Sequence, residues 1–240
     1  MDKVDWLERT KLLVGDEQVE RLAGKHVLVA GLGGVGAYAA EMICRAGVGE
    51  LSIIDGDVIH PSNRNRQLLA LKTTEGKSKA ELMAARLKEI NPKIKLNIYD
   101  EYLREGRTEE LLSIKYDYVV DAIDTLAHKI FLIYHSLDKG LKVASSMGAG
   151  GKKDPTQIQI SDISKSYNCK LAAVLRKRLH RLDVYTGVKV VFSSEKIAKD
   201  SVVIIEDDDN KKSTVGTISY MPAIFGCYLA SIVINDLLKT

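Results

Sequence analysis

Three observations predict an α/β protein built on a doubly wound, mostly parallel sheet, with a smaller mixed-sheet and helix extension toward the C-terminal end. Short apolar runs alternate with helical patterns from about residue 26 to residue 145, and strands separated by helices of that length imply βαβ crossovers covering both faces of a sheet. The rhythm changes after Gly148-Ala-Gly-Gly151, where two strands flank a basic helix and an apolar helix closes the chain. The 240 residues, 45% hydrophobic and 28% charged, suit one large domain and exclude disordered, collagenous and low-complexity classes.

Taken in order, His26-Val-Leu-Val-Ala30 is an apolar run ending in glycines, the pattern of a buried parallel strand. Val35 to Ala46 reads as an alanine-rich helix and Glu50 to Asp55 as the second strand. Lys77 to Ile90 is an amphipathic helix with Leu82, Ala85 (or Arg86) and Glu89 marking successive turns, stopped by Asn91-Pro92. Ile94 to Tyr99 alternates as a strand, and Arg107 to Ile114 reads as a helix. Tyr118 to Ile123 is a strand, Leu126 to Asp138 a helix, and Leu141 to Ser145 the last strand of this set. Gln157 to Ile163 and Val188 to Ser193 are strands around the helix Lys170 to Leu182. Glu206 to Lys212 is a charge run with turn chemistry, expected to be an exposed loop, and Thr217 to Leu238 is an apolar helix. The Gly-rich stretch divides one compact body: an N-terminal helical segment (1–22), a core (23–150) and an extension (151–240).

Cys44, Cys169 and Cys227 contain no C-x-x-C pair, so neither a disulfide framework nor a four-thiolate zinc site is available. Met1 to Glu8 is charged and lacks the apolar stretch of a signal peptide. The run from Tyr220 to Ile234, interrupted by Pro222, Gly226 and Ser231, reads as a buried helix. A cytoplasmic location is therefore expected. The formal charge of +3 makes no case for nucleic acid by itself.

Gly31-Leu-Gly-Gly-Val-Gly36 falls between the first strand and the first long helix. Glycines let a backbone approach a phosphate, and a helix N-terminus supplies N–H donors and positive dipole charge. Gly31, Gly33, Gly34 and Gly36 are thus cofactor-binding candidates, and the first half becomes a Rossmann-like nucleotide-binding half. Asp55, 19 residues beyond Gly36, stands where such folds hold ribose hydroxyls. The turn alone does not choose between NAD and ATP. Gly76-Lys77-Ser78 is not a P-loop, because Leu71 stands where that motif needs glycine.

Residues beyond the turn decide between them: Asp55-Gly-Asp57, Ser62-Asn-Arg-Asn-Arg-Gln67, Lys79 and Val120-Asp-Ala-Ile-Asp-Thr125. Two arginines, a lysine and several amides suit a triphosphate whose charge must be neutralised before a carboxylate approaches. Asp57, Ser62, Asn63, Arg66, Gln67, Lys79, Asp124 and Thr125 complete the cofactor-binding set, with Asp124, Arg66 and Lys79 as catalytic candidates. Asp124 also suits a Mg²⁺ ligand. Arg64 fits a solvated loop charge as well as a phosphate contact.

This set resembles the ubiquitin-activating-enzyme-like adenylyltransferases. The resemblance implies ATP binding, carboxylate attack on the α-phosphate with pyrophosphate leaving, and a homodimer in which an N-terminal arginine reaches the neighbour's ATP. Arg9 matches that arginine, and it equally suits a surface helix. The chain lacks the paired C-x-x-C zinc motifs of the sulfur-carrier activators. In the region 165–215 only Cys169 could accept a thioester, and it also suits a small packing residue. Gly148-Ala-Gly-Gly-x-x-Asp-Pro-Thr-Gln-Ile158, Leu171-Ala-x-x-Leu-Arg-x-Arg-Leu179 and Val191-Phe-Ser-Ser-Glu195, with the 120–125 segment, resemble the tRNA threonylcarbamoyladenosine dehydratases over residues 6–238. That resemblance implies activation of the threonylcarbamoyl carboxylate beside the anticodon, then ring closure with loss of AMP. It makes the whole chain a single adenylation domain, with 151–240 as tRNA side and dimer region.

From Lys152 to Lys189 nine Lys+Arg face three Asp, a local excess of +6 in a chain of +3, the footprint expected of an RNA backbone or of an ordinary solvated helix. In the helix, Leu171, Leu175, Leu179 and Leu182 are expected inward. Lys170, Arg176, Lys177, Arg178 and Arg181 are the tRNA-binding candidates. The sequence is silent on a monovalent cation and on a sulfur-transfer partner. Activation of a ubiquitin-like sulfur carrier and NAD-linked oxidation remain the competing readings.

Overall fold

The computed structural model describes residues 5–197, 202–204 and 213–239. The chain enters through α1 (Glu8–Val14) and α2 (Asp16–Ala23), so the N-terminal helical segment is broken into two at Gly15, whose φ of +92° no helix continues. The alternation after it is β1 (His26–Ala30), α3 (Gly36–Arg45), β2 (Glu50–Ile54), α4 (Lys79–Ile90), β3 (Lys95–Tyr99), α5 (Glu105–Leu111), β4 (Tyr118–Asp121), α6 (Leu126–Asp138) and β5 (Val143–Ser146). Then come β6 (Ile158–Asp162), α7 (Lys170–His180), β7 (Lys189–Ser193), β8 (Val202–Ile204), β9 (Ser213–Val215) and α8 (Tyr220–Leu238).

The main sheet runs β3-β2-β1-β4-β5-β7-β6. All its neighbours are parallel except β6, which pairs antiparallel with β7 from Ile158↔Ser193 to Asp162↔Lys189. The sheet is thus doubly wound and mostly parallel, and it continues across the glycine stretch at 148–151. The short antiparallel pair β8–β9 has no counterpart in the sequence reading; the expected loop at Glu206 to Lys212 lies outside the described residues.

Alternation along the strands sorts the core into two faces. Val27, Val29, Leu51, Ile53 and Val120 point toward α3, α4 and α8, while Leu28, Ala30, Ile54 and Val119 point toward α5, α6 and α7. In α4 the inward residues are Ala80, Met83, Ala84 and Leu87. Of the residues expected to mark successive turns, Leu82 is half-buried while Ala85 (or Arg86) and Glu89 are exposed, because β2, β3 and α3 take up the small-residue face. Alanines in α3 let α8 cross it closely: a Cβ on Gly226 would lie 2.4 Å from Val35 O and 2.7 Å from Tyr38 Cβ. Helix α8 is long and apolar enough to cross a membrane by length and composition, yet Met221, Phe225, Leu229, Val233 and Leu237 are buried against this core.

Candidate active site

β1 and β4 are neighbours whose onward connections leave in opposite directions, β1 toward β2 and β4 toward β5. Such a reversal opens a crevice at the carboxyl ends of the strands, and the loops after β1, β2 and β4 all arrive there.

The four glycines after β1 do different things. Gly31 has φ +88°, and a Cβ there would stand 2.7 Å from Ala122 O; on Gly36 it would stand 1.7 Å from Gly31 O. These two glycines join the end of β1 to the start of α3. Gly34 lies under Pro222 of α8, 3.0 Å from a built Cβ. Gly33 alone has room, its nearest neighbour being Gln67 Nε2 at 3.7 Å. Val35, the N-cap residue of α3, makes no side-chain cap, so no cap covers the helix dipole two residues beyond Gly33.

Asp55 staples this turn. Its Oδ2 accepts the Leu32 N–H at 2.6 Å and its Oδ1 accepts the Asp57 N–H at 2.8 Å. Burial pushes its carboxyl above the usual range despite the Lys79 charge and the two N–H bonds. Asp57 accepts from Lys79 Nζ at 2.7 Å and from the Tyr102 hydroxyl at 2.9 Å. A lysine at the first position of a helix opposes the helix dipole; Lys79 is held there, 4% exposed, by that ion pair. Ser78 caps α4 by accepting from the Glu81 N–H at 3.3 Å. Tyr102 escaped the sequence reading. Its backbone rides on Gly56, where a Cβ would meet Tyr102 N at 2.6 Å, and its side chain stays 57% exposed beside the two aspartates.

In the loop 61–67, Asn63 is buried with its Oδ1 on the His60 N–H at 3.0 Å, so that oxygen shapes the loop. Arg66 Nη1 donates to Ser62 O and to Asn65 Oδ1, each at 2.8 Å, and Asn65 Nδ2 reaches Thr217 O at 3.0 Å. Ser62 is exposed. Arg64 turns to Glu75 at 3.3 Å. Gln67 Oε1 is buried with no hydrogen-bond partner, beside Gly33.

Across the crevice, Asp124 is exposed three residues beyond the end of β4. Thr125 is the N-cap residue of α6 and its Oγ1 pairs with His128 Nδ1 at 2.9 Å. Beneath them lies a fully buried ion pair, Lys129 Nζ to Asp121 Oδ2 at 2.5 Å, and Lys129 is a second residue that escaped the sequence reading. Its signal was present: Lys129 stands in phase with Leu132, Ile133 and Ser136 on the inner face of α6. Among the described residues no group of three or more His, Cys, Asp or Glu could hold a metal ion.

On α7 the inward residues are Ala172, Leu175 and Leu179; Leu171 is half-buried and Leu182 lies beyond the helix, exposed. Lys170, Lys177, Arg178 and Arg181 are exposed. Arg176 differs from the expected outward placement, because its Nη1 donates to Ser166 O at 2.8 Å, to Ser166 Oγ and to Ile163 O. Cys169 is the N-cap residue of α7 and is buried. Arg9 lies exposed on α1, a helix that buries none of its residues.

Comparison with known proteins agrees with this fold. The model of the ThiF family matches residues 7–240. The tRNA threonylcarbamoyladenosine dehydratase of Bacillus subtilis is 37% identical over 96% of this chain and 94% of its own length. That of Escherichia coli K12 is 38% identical over 79% of this chain and 75% of its own length. The solved structure of the E. coli tRNA N6-threonylcarbamoyladenosine dehydratase TcdA in complex with ATP superposes with a TM-score of 0.89 at 32% identity, covering 100% of this chain and 97% of that one. This chain belongs to the ThiF family and, within it, to the tRNA threonylcarbamoyladenosine dehydratases.

Proposed function

We propose that this protein uses ATP to dehydrate the threonylcarbamoyl side chain of a modified adenosine beside the tRNA anticodon. The substrate carboxylate attacks the α-phosphorus of ATP and pyrophosphate leaves. The side chain's own carbamoyl group then closes on the activated acyl carbon, gives up a proton and expels AMP, which carries away the former carboxylate oxygen. Water is lost overall without an acceptor cysteine.

What supports this reading most is that the open Gly33, Asp57 with its partner Lys79, and Asp124 lie on the segments that leave the carboxyl ends of the neighbouring strands β1, β2 and β4. Gly33 and the start of α3 receive phosphate. Lys79, aimed by Asp57, keeps two further N–H donors for phosphate oxygens, and Arg66 adds charge from the facing loop. Asp55, with both oxygens on backbone N–H groups, presents its remaining lone pairs to the ribose. An exposed carboxylate beside a triphosphate suits Mg²⁺, which takes one carboxylate together with phosphate oxygens; Asp124 would hold it, and the ion would offset phosphate charge. The whole chain acts as one adenylation domain, residues 151–240 form the tRNA side, and the protein works in the cytoplasm as a homodimer completed by Arg9.

Activation of a sulfur-carrier protein is the alternative on the same core, and it finds no paired C-x-x-C motif here. Mass spectrometry of tRNA nucleosides after incubation with enzyme and ATP tests the proposal. The expected product is lighter by one water, only with ATP. Unchanged tRNA, with pyrophosphate exchange driven by a carrier ending in Gly-Gly, would sink it.

A further inference from the structure

Lys129 is a fully buried charge that the chemistry above leaves unused. It lies five positions after Asp124, and both it and Asp121 are fully buried. Its Nζ donates to Asp121 Oδ2 at 2.5 Å, to Ser146 O at 3.0 Å and to Ser145 Oγ at 3.3 Å, which occupies all three ammonium donors. Ser145 Oγ donates to the same Asp121 oxygen at 2.5 Å, and the other Asp121 oxygen accepts the Ile123 N–H at 3.1 Å. The network therefore joins the origins of two loops at the crevice. One is the turn from Asp121 to Thr125 that carries Asp124, and the other runs from Ser146 to Gly151.

Stability does not account for it. An ion pair taken out of water gains no more than an apolar pair of the same volume, and often less. What apolar side chains cannot do is hold a loop N–H on one side and a strand-end carbonyl on the other, fixing both loops in one register.

We infer that Lys129 is a positioning residue for adenylate formation, acting through Asp121 and Ser146 to hold Asp124 and the loop after β5 in place across the crevice. The inference rests on the reading of Asp124 as a residue that faces the nucleotide. An ångström of misplacement costs about 100-fold in rate, and the loss falls on kcat when the affected interaction is made only in the transition state.

The test is the neutral double variant Asp121→Asn/Lys129→Met, assayed by pyrophosphate release with modified tRNA. It is expected to melt within about 5 °C of wild type, to keep the KM for ATP within about threefold and to lose about 100-fold in kcat. A folded double variant with kcat within about twofold of wild type overturns the inference. Should the double variant not fold, Ser145→Ala decides, since it removes one link and leaves both charges. A kcat about tenfold lower at unchanged Tm supports the inference, and unchanged kcat overturns it. Asp124→Ala is run beside them. If it keeps wild-type turnover, the reading of Asp124 falls and this inference with it. A dead Asp124→Ala beside fully active Lys129 and Ser145 variants removes this inference alone.

Discussion

Gly33 and Gly36 stand three residues apart in one turn, yet an added methyl group has opposite consequences at the two positions. On Gly36 it would lie 1.7 Å from Gly31 O, a backbone atom that cannot step aside, so Gly36→Ala is expected to destabilise the fold by ~3 kcal/mol or more. On Gly33 the nearest atom is 3.7 Å away at the end of a flexible glutamine. Gly33→Ala should therefore melt within about 3 °C of wild type while its Tm rise on adding ATP shrinks sharply, because the methyl fills the approach to the phosphates. A thermal-shift titration measures both quantities. An undiminished ATP response in Gly33→Ala would move the phosphate away from this turn. The pattern of glycines was legible in the sequence. The division of labour among them was not, because it depends on Ala122, Gln67 and Pro222, which only the fold brings alongside. For the same reason Tyr102 and Lys129 went unread, their partners Asp57 and Ser146 being supplied by the loop after β2 and by β5.

Elements were read best where burial on both faces leaves no freedom. β1, β4 and β7 are continuous apolar runs because the sheet is covered on each side, and their positions follow from composition alone. Helix faces depend on which neighbour arrives. In α4 the sheet selects Ala80, Met83, Ala84 and Leu87, and small side chains carry too weak a periodic signal to reveal it. In α7, the basic residues that are tRNA-binding candidates together divide in the structure. Arg176 ties the helix to Ser166 and Ile163, whereas Lys170, Lys177, Arg178 and Arg181 face outward. Two variants separate these roles. Changing the four outward residues to alanine is expected to weaken tRNA binding and lower the slope of log K against log salt by roughly three. Arg176→Ala should leave that slope unchanged and destabilise the protein by ~1–3 kcal/mol by leaving the Ser166 carbonyl unmet. An equal loss of slope in both variants would place Arg176 on the RNA face after all.

At the scale of the whole molecule, the main sheet accounts for the site but not for α1. That helix has seven residues and buries none of them; within it Leu12 is 83% and Leu13 84% exposed, and Trp6 just before it is 47% exposed. So short a helix holds little structure alone, and large apolar side chains gathered at one end of a chain mark a contact surface. The homodimer proposed above would cover this end, and its two-fold symmetry would give each subunit's Arg9 the same reach toward the other's crevice. In that dimer Arg9 and Asp124 would belong to one site drawn from two chains, a relation that mixing can expose. Arg9→Ala and Asp124→Ala are each expected to lose nearly all turnover while keeping the wild-type melting temperature. Unfolded and refolded together in equal amounts, half of the dimers pair one variant with the other, and each such dimer rebuilds one complete site of its two. Turnover should therefore recover to about a quarter of wild type, measured as cyclised nucleoside formed per minute. If Arg9 serves its own subunit's site, every site in the mixture lacks one residue or the other and no recovery occurs.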